Sequence, residues 1–310
     1  MAWLLGNVLQ PQIKNTFLLN AVNLENVVKN PPFGGFFYCV TLVVKYTDIV
    51  RFYFLYAMNI YRLKFKAFSY HAIISLIIAA LVTSVVKLVW YPAPYDQLCG
   101  GLNLLFLVIG VDLVLGPLLT FVVFDLKKSK SELVRDLVIV GLLQLIGLLY
   151  GMYIVFLARP VVVVFNGKQF DVVTQVQITE NKLPDAAPDF RRLSMTGPRL
   201  LSMRAAQSES ERTELMVLSV TGQLKGVMPA FWQDYALSKN QVVREASSVD
   251  DLYKQYPADD VLIDAQIAKS GLNRSQVVFL PIVSARNSWT VLLNKETAEM
   301  IGFVPKDASF

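Results

Sequence analysis

The sequence predicts a membrane protein: three transmembrane α-helices followed by a periplasmic α+β domain with a mainly antiparallel sheet. Three observations carry this reading. Of 310 residues, 54% are hydrophobic and only 17% charged, whereas a soluble domain has about 45–50% and about 25%. Three apolar runs, 72–90, 104–124 and 137–157, each reach the ~20 residues that cross a bilayer. After them the character changes: residues 159–310 hold 17 Lys+Arg and 17 Asp+Glu, with the strand and helix patterns of a water-facing core.

The first run is broken only by Lys87, the second only by Asp112, and the third carries no charge. Orientation follows from Lys and Arg in short loops. Arg62, Lys64 and Lys66 precede the first run, and Lys127, Lys128, Lys130 and Arg135 lie between the second and third. The loop from Tyr91 to Gln97 has neither. The basic flanks therefore face the cytoplasm, and residues 159–310 lie outside the inner membrane. The whole net charge of +5 sits in residues 1–158 beside these runs, which fits membrane orientation better than nucleic-acid binding.

Residues 1–57 form an N-terminal extension of doubtful status. Pro31-Pro32 and Gly34-Gly35 break it, and Lys45, Asp48 and Arg51 interrupt its apolar stretch. No fourth span is expected there, and Met58 is expected to be the natural start. The alternative is an extension whose aromatic face rests on the inner leaflet. Residues 58–158 make the membrane domain, and 159–310 the periplasmic one.

Polar and small residues inside the spans mark the sites, because charge there is costly and small side chains let helices approach. Lys87 and Asp112 form a candidate intramembrane ion pair. The alternative has Lys87 reaching the outer interface and Asp112 neutral or satisfied by Gln144. Gly116-Pro117 predicts a kink. Gly141, Gln144, Gly147 and Gly151 share one stripe of the third span, read first as bundle packing and second as a grip on another protein's helix. His71 is the single histidine, and Cys39 and Cys99 are the two cysteines. That content excludes HExxH metal sites, zinc sets and a disulfide framework, and argues against a Ser-His-Asp triad. No catalytic, cofactor or metal residues are expected.

In the C-terminal half, Val161 to Phe165 reads as a strand and Asn166-Gly167 as a hairpin turn. Phe170 to Ile178 is a second strand, 181–198 an extended proline-bearing loop, and Leu200 to Ala205 a third strand. Ser208 with Glu211 predicts a capping box opening a helix to Val220. Short helices follow at 238–246, 248–256 and 258–270. A meander over 277–283, 289–293 and 300–304 closes the chain. Asp250-Asp251 and Asp259-Asp260 read as helix N-terminal acids rather than a catalytic pair. Phe231, Trp232 and Tyr235 read first as core and second as an exposed contact patch. Thr196, Gly197 and Arg199, with Trp232, are the candidate contacts outside the membrane.

Trp90-Tyr91-Pro92, the VDLVLGPLLT run at 111–120, Leu143-Gln144, Tyr150-Gly151 and Arg159-Pro160 together carry a resemblance. Val164-Phe165, the FDVVT run from Phe170, Thr196-Gly197-Pro198-Arg199 and Thr290-Val291-Leu292 extend it almost to the end. From about Met58 the chain resembles the type IV pilin accessory proteins of the TfpX/TfpZ kind. The resemblance implies a non-enzymatic inner-membrane accessory or chaperone-like factor that helps a specific type IV pilin assemble into pili. Its implied partners are the pilin subunit, membrane lipid and other pilus-assembly proteins. A membrane enzyme modifying the pilin by glycosyl or acyl transfer is the alternative, and a sensor with an outside ligand domain ranks last.

Overall fold

The structure, a computed structural model, describes residues 35–125 and 128–308. Residues 1–34, with the Pro31-Pro32 break, and Lys127 of the second loop lie outside the described residues. The chain divides into two units, one reaching Phe65 and one from Lys66 onward. Among the described residues, three helices are long and apolar enough to cross a membrane: Tyr46–Trp90, Gly101–Val123 and Lys130–Leu157.

In the first unit, residues 35–65 are helical, part of α1 (Gly35–Val85). The charge-interrupted stretch is thus helical from Gly35 onward. Lys45, Asp48 and Arg51 interrupt hydropathy, but they recur every third residue, which on a helix is one stripe. No glycine or proline follows Gly35 until Pro92, so nothing stops the helix.

In the second unit, α1 ends in a π-helical turn, Val86–Trp90, in which Tyr91 N–H reaches Val86 O at 2.8 Å. A single helical turn, Tyr95–Leu98, leads to α2 (Gly101–Val123). Gly100 adopts φ +69° at its start, a left-handed conformation that favours glycine. The α2 helix runs unbroken through Pro117. The next helix, α3 (Lys130–Leu157), starts seven residues before the apolar run because Ser129 and Glu132 form a reciprocal capping box.

The C-terminal domain is an eight-stranded mixed sheet. Its strands are β1 (Pro160–Phe165), β2 (Phe170–Thr174), β3 (Arg199–Met203), β4 (Trp232–Asp234), β5 (Ser247–Ser248), β6 (Val277–Val283), β7 (Ser288–Asn294) and β8 (Met300–Val304). The order is β4-β3-β1-β2-β6-β7-β8, with β5 on β6. The hairpin β1–β2 and the meander β6–β7–β8 are antiparallel as expected. The pairs β1–β3 and β2–β6 are parallel, so the sheet is mixed rather than purely antiparallel, although the other five pairings are antiparallel. For β1–β3 the cause is the segment 175–198. It is not a hairpin loop but a crossover of short 3₁₀ turns that brings β3 back beside β1 in the same direction.

Helices α4 (Glu209–Val220), α5 (Lys239–Glu245), α6 (Val249–Gln255) and α7 (Asp260–Ser270) match the expected ones. Both sheet faces are covered. Val163 and Phe165 pack with Leu280 and Ile282 on one face, while Val277, Phe279 and Leu292 meet α6 and α7 on the other. A sheet buried on both sides needs apolar residues at successive positions, as the Val161–Val164 run supplies.

The turn after β1 is more than a glycine turn. Asn166 Oδ1 accepts the Lys168 and Gln169 amides, and its Nδ2 donates to both oxygens of the buried Asp171 at 2.9 and 3.0 Å. Gly226 N–H and Gln169 Nε2 complete that carboxylate's shell. Burial raises the Asp171 pKa, and these donors oppose the rise.

Candidate functional site

Three helices enclose a groove of about 290 Å³ lined by His71, Ser75, Asp112, Gly141, Gln144 and surrounding aliphatic side chains. Ser75 and Ala79 on α1 and Gly141 on α3 leave it open: a Cβ at Gly141 meets no neighbour within 4 Å. One edge is tied by Gln144, whose Nε2 donates to the backbone oxygen of Asp112 at 3.2 Å. The Gln144 side chain also occupies the space that a Cβ on Gly116 would need. A contact between His71 Nδ1 and Thr120 Oγ1, at 2.6 Å, links α1 to α2.

Among the described residues, no side chain donates to the Asp112 carboxylate. The Lys87–Asp112 ion pair does not form. Lys87 Nζ instead lies 3.5 Å from Asp96 Oδ2, joining a half-exposed lysine to a carboxylate that is 6% exposed. The π-helical turn and the Tyr95–Leu98 turn bring these two together, whereas Asp112 lies eleven residues into α2.

The glycine stripe divides. Gly151 is closed against Val108 of α2, and Gly116 against Gln144, so both serve packing inside the bundle. Gly141 and Gly147 meet nothing within 4 Å. Pro117 is buried beside Gly116.

The loop between α1 and α2 enters the sheet domain. Leu98 is fully buried in the core formed by Val163, Phe165, Leu280 and Ile282, with Tyr95 and Cys99 against it. The turn after β6 clamps it: Ser284 Oγ donates to Leu98 O at 2.8 Å, and Asn287 Nδ2 to the Gln97 and Leu98 oxygens at 3.2 and 3.1 Å. Tyr91 Oη donates to Val155 O at 3.0 Å, and its ring fills the space that any Cβ on Gly101 would take. Burial pushes the Cys99 thiol up to about 12, with the Asp96 charge adding to the rise. The thiol is therefore held protonated and unreactive.

Arg159 fastens the other junction. It is 2% exposed. It donates to Phe156 O at 2.8 Å, to Ser194 O at 3.2 and 3.1 Å, and to Gln175 Oε1. Its guanidinium stacks 3.6 Å over the Phe156 ring. A cation bonding the last carbonyls of α3 also suits the helix dipole.

The contact candidates of the sheet domain divide: Trp232 and Gly197 are buried, while Thr196 and Arg199 are exposed. Trp232 is buried and donates to Gly226 O at 2.9 Å, so it is core. Gly197, at φ +59°, sits where a Cβ would come within 2.9 Å of Pro92, so it packs on the membrane loop. Arg199 donates to Asp189 O at 2.8 Å and stacks on Phe190. Thr196 is exposed, its N–H donating to Ser194 Oγ at 3.2 Å. Phe231 and Tyr235 are core as well. Asp250 and Asp251 open α6 and pair with Arg274 and Lys254, each at 2.8 Å, and Asp259 pairs with Lys306 at 2.9 Å. Among the described residues, no group of three His, Cys, Asp or Glu side chains is placed to hold a metal.

Sequence reasoning missed Asp96, Leu98, Ser284 and Asn287 as junction residues. The signal was weak: one leucine in a short loop beside Cys99-Gly100-Gly101. Arg159 was marked only through the resemblance, and Tyr91 also as a residue suited, with Trp90, to the outer interface of the first span.

The family model of the fimbrial assembly protein FimB matches residues 60–100, which include the end of α1 and the inserted loop. The chain is 33% identical to a fimbrial assembly protein of serogroup I from Dichelobacter nodosus over 227 residues, 73% of this chain and 88% of that protein. It is 31% identical to the serogroup E1 protein of the same organism over the same shares. A third, of serogroups C1 and C2, is 39% identical over 116 residues, 37% of this chain and 88% of that protein. No solved structure gives a significant match. An apolar helical bundle joined through an inserted loop to a mixed-sheet domain is thus the form taken here by a member of the fimbrial assembly proteins, the family to which this chain belongs.

Proposed function

We propose that the chain is a non-enzymatic accessory factor of the bacterial inner membrane, assisting assembly of a specific type IV pilin into fimbriae. The three apolar helices span the membrane and the sheet domain lies in the periplasm. The observation that carries the reading is the similarity to fimbrial assembly proteins over most of the chain. Two features support the topology. Lys and Arg cluster on the α1 flank and in the α2–α3 loop, and are absent from residues 91–99. The α1–α2 loop and the C-terminal domain share one core, so they lie on the same side of the bilayer.

The pilin would be met at two levels, in the membrane by the groove around Asp112 and outside by the exposed surface near Thr196. Lipid covers the remaining helix faces, and other pilus-assembly proteins complete the surroundings. The test is removal of the gene and its restoration, with surface fimbriae counted by electron microscopy. Loss of fimbriae with the pilin still present is expected. Unchanged fimbriation would overturn the reading, and a chain-dependent change in pilin mass would replace it with the enzymatic one. Reporter fusions after Arg159 and after Lys128 should be active outside and inside respectively; the reverse pattern contradicts the topology.

A further inference from the structure

The groove combines three features. It is walled by all three helices, it is widened by the small residues Ser75, Ala79 and Gly141 among its isoleucines and leucines, and it holds a carboxylate that no described side chain answers. Asp112 is the midpoint of the 23-residue α2. It therefore lies ~16 Å from either helix end at 1.5 Å per residue. An intramembrane acid normally faces a partner or a wet cavity, because hydrocarbon offers it no hydrogen bond. The partner expected from the sequence, Lys87, is committed to Asp96, and the Gln144 amide to the Asp112 backbone oxygen.

We propose that this groove docks a membrane-spanning helix of another protein, one that brings a proton-donating side chain to the level of Asp112. The proposal rests on the membrane reading above and specifies the chemistry of the contact. Depth excludes a lipid headgroup, since the hydrocarbon core is about 30 Å thick and the carboxylate sits at its middle. A second copy does not complement the site by a two-fold contact centred on this groove, which would set Asp112 against Asp112. A foreign helix with a donor satisfies the carboxylate, and the open Gly141 gives its backbone room to approach.

The experiment uses the full chain in native membranes, with a photoreactive residue replacing Leu145 on the groove wall. A control carries it at Ile146, on the outer side of α3. The expected result is an adduct from position 145 with a membrane segment that has Lys, Arg, Asn, Gln, Ser or Thr within one turn of the crosslink. Asp112→Leu should reduce that adduct about tenfold, the effect of one intramembrane hydrogen bond of about 1–2 kcal/mol. Asp112→Asn, which keeps an acceptor, should retain most of it. Equal accumulation and gel-filtration behaviour of both variants shows the fold intact. Capture undiminished in Asp112→Leu, a wholly apolar captured segment, or adducts only with lipid or with a second copy would each overturn the proposal. Fimbriae lost on gene removal, together with any of those results, would leave the assembly role standing and remove this inference alone.

Discussion

The helical bundle and the sheet domain use the same residue types to different ends. In the sheet, Ile282 and Leu292 are fully buried, and each apolar strand face meets partners within the chain. In the bundle, Leu107 and Ile146 remain more than 60% exposed. Hydrophobic burial, at about 25 cal/mol per Å², organises the domain, but apolar helices in lipid gain little from it. Close packing and a few polar contacts hold them instead. Information in the bundle is therefore concentrated at Gly116, Gly151, Gln144, His71 and Asp112. The inserted loop is where one regime passes into the other.

The largest expected effect breaks that junction. Leu98→Ala should cost the sheet domain about 3 kcal/mol, as for a fully buried leucine. The exposed Leu107→Ala should cost less than about 0.5 kcal/mol. Denaturant unfolding in detergent, followed by tryptophan fluorescence, compares the two. Equal losses would show that the loop is not part of the core.

Within the bundle, the glycines should separate. Gly116→Val and Gly151→Val force side chains into Gln144 and Val108 and should each cost about 2 kcal/mol by overpacking. Gly147→Val meets open space and should change helix association little. Thermal unfolding of the detergent-solubilised variants ranks them, and three similar losses would mean that all share one packed face.

A smaller effect concerns charge. A double-mutant cycle on Lys87 and Asp96 should give a coupling of about 1 kcal/mol, because one partner is buried. The Lys87 and Asp112 cycle should be additive within about 0.3–0.5 kcal/mol. The reverse result would restore the pairing expected from the sequence.

The smallest effect is an acid titration on the sheet domain. The Arg204 guanidinium holds Glu211 down at about 2, with the Gln207 amide assisting. A depressed folded-state pKa stabilises above the ordinary value and is lost as pH falls through the folded one. The difference in melting temperature between the native chain and Glu211→Gln should therefore shrink from about pH 4.5 toward about pH 2. A pH-independent difference would contradict the pairing.

The three long helices, the Asn166-Gly167 turn and the closing meander were legible in the sequence because local periodicity and turn chemistry set them. Parallel pairing was not. Nothing in 175–198 declares which way the next strand will run, since crossover direction is decided by the sheet it returns to. The Ser208–Glu211 box was half right: Ser208 caps α4 by accepting the Glu211 amide at 3.2 Å, but the Glu211 carboxylate turns to Arg204 and the Gln207 amide. At the candidate site, Asp112, Gln144 and the glycines could be named from polarity inside apolar runs. Their assignments could not, because pairing across helices depends on the π-helical turn that carries Lys87 toward Asp96. Trp232, read first as core, is fixed there by its bond to the Gly226 carbonyl, while the exposed Arg199, read as a binding loop or as a turn before a strand, is held to the Asp189 carbonyl.

The central claim is that the bundle keeps one face for the pilin while the sheet domain is fixed to it. Photocrosslinking in fimbriated cells, scanned along α3 and read out with an antibody to the pilin, tests it most directly. Pilin adducts are predicted at Gly141, Leu145 and Leu148, which line the groove, and not at Ile139, Ile146 or Tyr150 on the far side. Adducts spread evenly around the helix, or confined to the far side, would contradict it.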